Sequence, residues 1–133
     1  MLLKNSLYTI ERQEKQTSSE DVVGGSFLLR LNPDHVIYQA HFPGEPITPG
    51  VCIVQIGKEL MEELVGKPLE VARVKNVKFL SVISPKDTTS ITYTFRKLEW
   101  AADGKEVKAQ IVVTSGDEAK AKISFGVRVV ANS

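Results

Sequence analysis

The chain has 133 residues, the size of one domain, so 1–133 is read as a single unit with enough length to bury most of its unfolded surface around one core. Its 17 basic residues are balanced by 16 acidic ones, which argues against the nucleic-acid backbone as the main partner. No stretch approaches the roughly 18 apolar residues of a membrane span, and the start Met1-Leu2-Leu3-Lys4-Asn5 lacks a signal-type apolar run; a soluble, cytoplasmic protein without membrane insertion is expected.

In chain order, Leu7 to Glu14 and Ser26 to Leu31 read as two strands around a polar turn that ends at Gly24-Gly25. A proline-rich loop follows, and then the good helix candidate, about Val51 to Val65. Its apolar positions Val51, Val54, Ile56, Leu60, Met61, Leu64 and Val65 cover a wide face, Pro49-Gly50 opens it, and Gly66 with Pro68 closes it. Further on, Ile91, Tyr93 and Phe95 alternate with Thr92, Thr94 and Arg96, and Val107, Ala109, Ile111 and Val113 alternate with Lys108 and Gln110. The clearest alternation sets Ala119, Ala121, Ile123, Phe125, Val127 and Val129 against Lys120, Lys122, Ser124 and Arg128. Turns at Asp103-Gly104 and Ser115-Gly116-Asp117 are short enough to make these three strands antiparallel neighbours. One mostly apolar helix among some six antiparallel strands defines an α+β class in which a sheet curls around the helix.

Chemistry concentrates in His41-Phe42-Pro43-Gly44-Glu45-Pro46-Ile47-Thr48-Pro49-Gly50, which runs directly into Val51. It offers an imidazole on a loop stiffened by three prolines, next to a helix start whose first backbone N–H groups have no intrahelical partner. An imidazole titrates near neutrality, so His41 can take a proton and return it. Gly50 and Val51 would offer N–H groups to a carbonyl oxygen that gains negative charge. The pairing suits proton removal next to a carbonyl.

HFPGEPITPGV resembles the H-F-P-G-x-P-x-x-P-G-V signature of the 3-hydroxyacyl-acyl-carrier-protein dehydratases of fatty-acid synthesis. Tyr38-Gln39-Ala40 is similar to that family's aromatic-Gln-small lead-in, and Val74 to Phe79 with Pro85-Lys86-Asp87 to its post-helix strand and turn. The resemblance implies a hotdog fold, with one central helix wrapped by a curved antiparallel sheet that continues across a dimer, and active sites built from both subunits. It implies removal of water from a 3-hydroxyacyl thioester on acyl-carrier protein to give a 2-enoyl thioester, with no cofactor, by a homodimer whose higher assembly is open. His41 is then the catalytic base, and Phe42, Gly44, Gly50 and Val51 bind substrate.

The family's second catalytic group, a Glu or Asp fourteen residues after the histidine, is here Gln55. An amide has no proton to give. Glu59 lies four residues on, on nearly the same helix face, reversing the acid-then-amide order that the resemblance implies. Glu59 is either a displaced acid working through Gln55 or a water, or the start of a solvated run with Glu62 and Glu63 beside Lys58. Two alternatives therefore stand beside the dehydratase: a hotdog acyl thioesterase using the same oxygen pocket with water as nucleophile, and a non-catalytic subunit that holds an acyl chain beside an active partner.

The remaining candidates carry less. Cys52, the single cysteine, has no disulfide partner and no neighbouring ligands for a metal, so none is assigned, and it reads as a packed thiol. His35, after Pro33-Asp34, reads as a loop residue. Arg73, Lys75 and Lys78, with Arg96-Lys97, form basic clusters that suit either an acidic carrier surface or plain solvated strands.

Overall fold

A computed structural model describes residues 2–40 and 44–130. Strands β1 (Tyr8–Ser18) and β2 (Asp21–Leu31) precede a one-turn helix α1 (Ile37–Ala40) and the long helix α2 (Gly50–Val65). Strands β3 (Leu69–Phe79), β4 (Ser90–Trp100), β5 (Glu106–Ser115) and β6 (Glu118–Val129) follow. They form one six-stranded sheet in the order β1-β2-β4-β5-β6-β3, antiparallel at every pairing. The sheet curves around α2, the architecture of the hotdog fold.

Alternation sets which strand face is buried. Ile91, Tyr93 and Phe95 of β4, Val107, Ile111 and Val113 of β5, and Ala121, Ile123, Phe125 and Val127 of β6 all face the core. They meet Ile56, Leu60, Met61 and Leu64 of α2, and burying each large side chain stabilises the fold by about 1.5–3 kcal/mol. Two contacts fix the helix on this floor. The Tyr93 hydroxyl donates to the Ile53 carbonyl at 2.8 Å, and Gly57 brings α2 close enough that a Cβ there would stand 3.0 Å from Ile111 Cδ1.

The expected helix and the three C-terminal strands are present, and Gly66 closes α2 in the left-handed region (φ 71), donating its N–H to the Glu62 carbonyl. Three expectations are corrected. Gly24 and Gly25 do not form the first turn but lie inside β2, opposite Gln16 and Lys15. The chain reverses at Ser19-Glu20, with Ser19 at φ 57. Glycine is required at 25 because a Cβ there would stand 2.6 Å from the Glu14 carbonyl oxygen and 2.7 Å from Leu64 Cδ1, where the C-terminal half of α2 crosses the sheet. Secondly, Ile37–Ala40 forms a short helix that periodicity does not reveal, entered by an Ile37 N–H donated to His35 Nδ1 at 3.0 Å. Thirdly, Val51 is 69% exposed, and the buried face of α2 instead takes in Cys52, Ile53, Gly57 and Glu59.

Gly25→Val should lower unfolding free energy by about 1–3 kcal/mol, the usual range for overpacking, because a carbonyl oxygen cannot move aside as a side-chain tip can. Urea denaturation reads this as a lower midpoint, and an unchanged midpoint would mean that the Glu14 carbonyl does not crowd residue 25.

Candidate active site

The start of α2 is pinned from three sides. Thr48, buried, shares a 2.8 Å hydrogen bond between its hydroxyl and that of Tyr38, and its N–H donates to the Ile83 carbonyl at 2.8 Å. The Phe79 ring lies across Gly50, where a Cβ would meet ring carbon Cζ at 2.7 Å. Pro49 is the N-cap, extended (φ −62, ψ 147) and without a side-chain cap, and the Cys52 and Ile53 N–H groups turn back to its carbonyl. The N–H groups of Gly50 and Val51 precede the first intrahelical bond, so they remain available to an incoming oxygen. Gly44 is exposed, adopts φ 92, and accepts at its carbonyl from Lys86 Nζ, which ties the loop to the turn after Ser84. His41 and Phe42, the expected base and its neighbour, lie outside the described residues.

One turn into α2, Gln55 and Glu59 touch: Gln55 Nε2 donates to Glu59 Oε2 at 2.9 Å. Glu59 is not the start of a solvated run. It is 3% exposed, and it turns inward because the N-terminal segment brings donors to it. The Leu3 N–H reaches Oε2 at 2.8 Å, while the Lys4 N–H at 2.8 Å and the Tyr8 hydroxyl at 2.9 Å reach Oε1. A carboxylate offers about four lone-pair sites, and here all four are occupied. Burial, then the neighbouring Glu59 carboxylate, pushes the Tyr8 phenol far above its ordinary range, which keeps the hydroxyl protonated as a donor. Because a carboxylate accepts, the amide must turn Nε2 towards it and direct its carbonyl oxygen elsewhere.

Sequence reasoning missed Tyr8, the Leu3 and Lys4 amides and the Tyr38–Thr48 pair. The signal for the last was present, since Tyr38 belongs to the motif lead-in. Nothing local ties residue 59 to residues 3, 4 and 8. Cys52 is packed, and burial raises its thiol pKa, as suits an inert cysteine. Among the described residues, no three His, Cys, Asp or Glu side chains come together in a way that could hold a metal ion. No helix among them is long and apolar enough to cross a membrane.

A long helix held in a curled antiparallel sheet, with its open N-terminus at a proline-rich loop, is the arrangement of a hotdog protein. A family model for ApeI-like proteins, described as ApeI dehydratase, matches residues 13–124. The chain belongs to this ApeI dehydratase family. It is 30% identical over 100 residues to the 3-hydroxyacyl-acyl-carrier-protein dehydratase FabZ of Latilactobacillus sakei, covering 69% of each chain. To the FabZ of Oenococcus oeni it is 36% identical over 89 residues, 59% of this chain and 64% of that one, so these matches span about two thirds of the relatives' length. The fold is shared with the dehydratase heterocomplex ApeI:P from Xenorhabdus doucetiae, at a TM-score of 0.64 and 17% identity over 90% of this chain and 96% of that one.

Glu59→Gln tests the saturated carboxylate. The new NH2 must face at least one backbone N–H of Leu3 or Lys4, leaving a buried donor unsatisfied at a cost of about 1–3 kcal/mol. Hydrogen exchange should accelerate selectively at Leu3 and Lys4, and protection equal to wild type at both would show that the carboxylate does not hold the segment.

Proposed function

We propose that this chain is a 3-hydroxyacyl thioester dehydratase, one hotdog domain acting on acyl chains borne by acyl-carrier protein, with activity limited by Gln55. The observation that carries the reading is the pinned, open start of α2 at Gly50 and Val51, directly after the His41 loop. His41 removes a proton from the carbon next to the thioester carbonyl, and the carbonyl oxygen takes the developing charge. The N–H groups of Gly50 and Val51 hold that oxygen, a contribution of the kind worth about 10²–10³ in rate. Phe42 and Gly44 are assigned to substrate binding. The C–O bond then breaks, and the hydroxyl leaves as water with the proton that His41 carries. Gln55 takes no part in that transfer. Its carbonyl oxygen, directed away from Glu59, meets the hydroxyl hydrogen and orients the leaving group, while Glu59 positions the amide.

A homodimer suits this reading. Strand β3 is the last strand at one sheet edge and eleven residues long, with Val71, Val74 and Phe79 exposed along it and Leu80 and Val82 exposed just beyond. A long apolar edge is a template for strand pairing, and a second copy across a two-fold axis would cover it. A second reading keeps the same surface and pairs this chain, as a non-catalytic subunit, with a different active one; Gln55 is the observation in its favour. The thioesterase reading is less well supported, because both the family model and the curated relatives are dehydratases.

The deciding assay incubates purified protein with 3-hydroxyacyl- and 2-enoyl-carrier-protein substrates and follows water loss, hydration and thioester cleavage together. Gln55→Glu should raise the dehydration rate about tenfold or more, since a general acid contributes about 10²–10⁴. His41→Ala should abolish the rate. Binding without turnover in either wild type or Gln55→Glu would favour the non-catalytic subunit, and cleavage without hydration would favour the thioesterase.

The dimer has its own test. Val74→Asp puts a charge on the β3 edge and should convert the wild-type dimer to monomer in light scattering at micromolar concentration. A monomeric wild type would refute the homodimer.

A further inference from the structure

The sheet face away from α2 carries a cleft of about 320 Å³, bordered by Arg73 and Lys75 of β3, Lys97 and Glu99 of β4, Lys108 and Gln110 of β5, and Ser124 and Gly126 of β6. Register explains its shape. Arg73 pairs with Gly126, Gly126 with Lys108 and Lys108 with Glu99, so one row runs across four strands with no side chain at its second position. Gly126 leaves a position without a side chain between two cations, itself buried beneath the Arg73 stem, and the half-buried Ser124 stands beside it. Lys75 lies within the register shift of β3, and Lys97 within that of β4, at φ 53. A left-handed lysine costs about 1 kcal/mol or more, and bulges re-aim side chains, so both irregularities bring a cation to the same concavity.

Charge is concentrated here. The whole chain carries a formal +1, yet four cations meet one carboxylate around this cleft. Among the described residues none of the four stands within ion-pair distance of a carboxylate, whereas Lys4, Arg30, Lys58, Lys120 and Arg128 all do. Uncompensated cations around one concavity, with a hydroxyl and an amide at hand, match a small multivalent oxyanion. Arg73 can offer a two-pronged contact and the lysines point charges.

We propose that this cleft binds the phosphoryl group of a small ligand, on the face opposite α2 and independently of the dehydratase chemistry. The test is calorimetric titration with inorganic pyrophosphate at low ionic strength. Saturable binding in the millimolar range or tighter is expected, weakened at least about tenfold, or 1.4 kcal/mol, by Arg73→Glu with Lys108→Glu. The matched control, Arg12→Glu with Lys15→Glu on β1, removes the same charge at the other sheet edge and should change affinity less than about twofold. Gly126→Val displaces the Arg73 stem on the cleft floor without touching charge; a Cβ there meets only Arg73 Cγ, at 3.5 Å, and Cδ, at 4.0 Å, so the fold should tolerate it while binding falls. Parallel titrations with ADP and with phosphopantetheine distinguish a nucleotide from a prosthetic arm as the source, and preference for either supports the assignment. It is overturned by no saturation at about 10 mM, by equal losses in the two charge variants, or by unchanged binding in Gly126→Val.

Discussion

A buried carboxylate is tolerated only if its lone pairs are met, and that requirement at Glu59 organises more of this molecule than any other single contact. Leaving even one partner out costs about 1–3 kcal/mol, more for a charged group. Three parts of the chain therefore converge on one side chain: the backbone at Leu3 and Lys4, the hydroxyl of Tyr8 at the start of β1, and the amide of Gln55. The N-terminal segment is thereby fastened to the middle of α2. Tyr8 links the outermost strand of one edge to the central helix. The same saturation reaches the site, since an amide facing a carboxylate has only one orientation.

The other end of α2 solves a different problem. A helix start inside a fold has N–H groups that need partners, and side-chain caps are the common solution. Here Pro49 caps with backbone geometry alone, and the neighbouring groups serve rigidity instead. Tyr38 and Ile83 hold Thr48, and Phe79 closes over Gly50. The first N–H groups stay open while their positions are fixed from outside the helix. Oxyanion stabilisation needs that combination, because donors that must first reorganise lose much of their effect.

What was legible in the sequence follows from the range of each interaction. Strands β4 to β6 declare themselves because one face is core and the other solvent, and α2 because Gly50 and Gly66 bound an apolar run. The loop and its helix start were legible as a motif. Gly24-Gly25 misled because a glycine pair reads as a turn, whereas the need for glycine at 25 comes from the Glu14 carbonyl of the paired strand and from Leu64, thirty-nine residues away. Glu59 was unreadable for the same reason. Among Glu62, Glu63 and Lys58 it looks solvated, and only contacts spanning more than fifty residues show otherwise. Lys120, assigned to the solvent face of β6, is likewise buried, its ammonium bound to the Val82 carbonyl at 3.1 Å and to Glu118 at 3.0 Å.

The exchange of acid and amide along α2 acquires a physical meaning from this arrangement. Were residue 55 the acid, residue 59 would have to donate to it, yet the backbone N–H groups at Leu3 and Lys4 demand an acceptor at 59. An amide there could donate to an acid at 55 only by leaving one of those N–H groups without an acceptor, whereas a carboxylate satisfies the N-terminal segment completely and requires a donor at 55. Gln55 is thus the residue that a carboxylate at 59 selects, and anchoring the N-terminus through the helix and keeping an acid at 55 are competing uses of one pair of positions. Under the proposed dehydratase chemistry, both proton transfers then fall on His41. If that chemistry holds, such a chain either turns over slowly with one group serving as both base and acid, or takes the missing proton from a second chain, for which the β3 edge is the proposed contact.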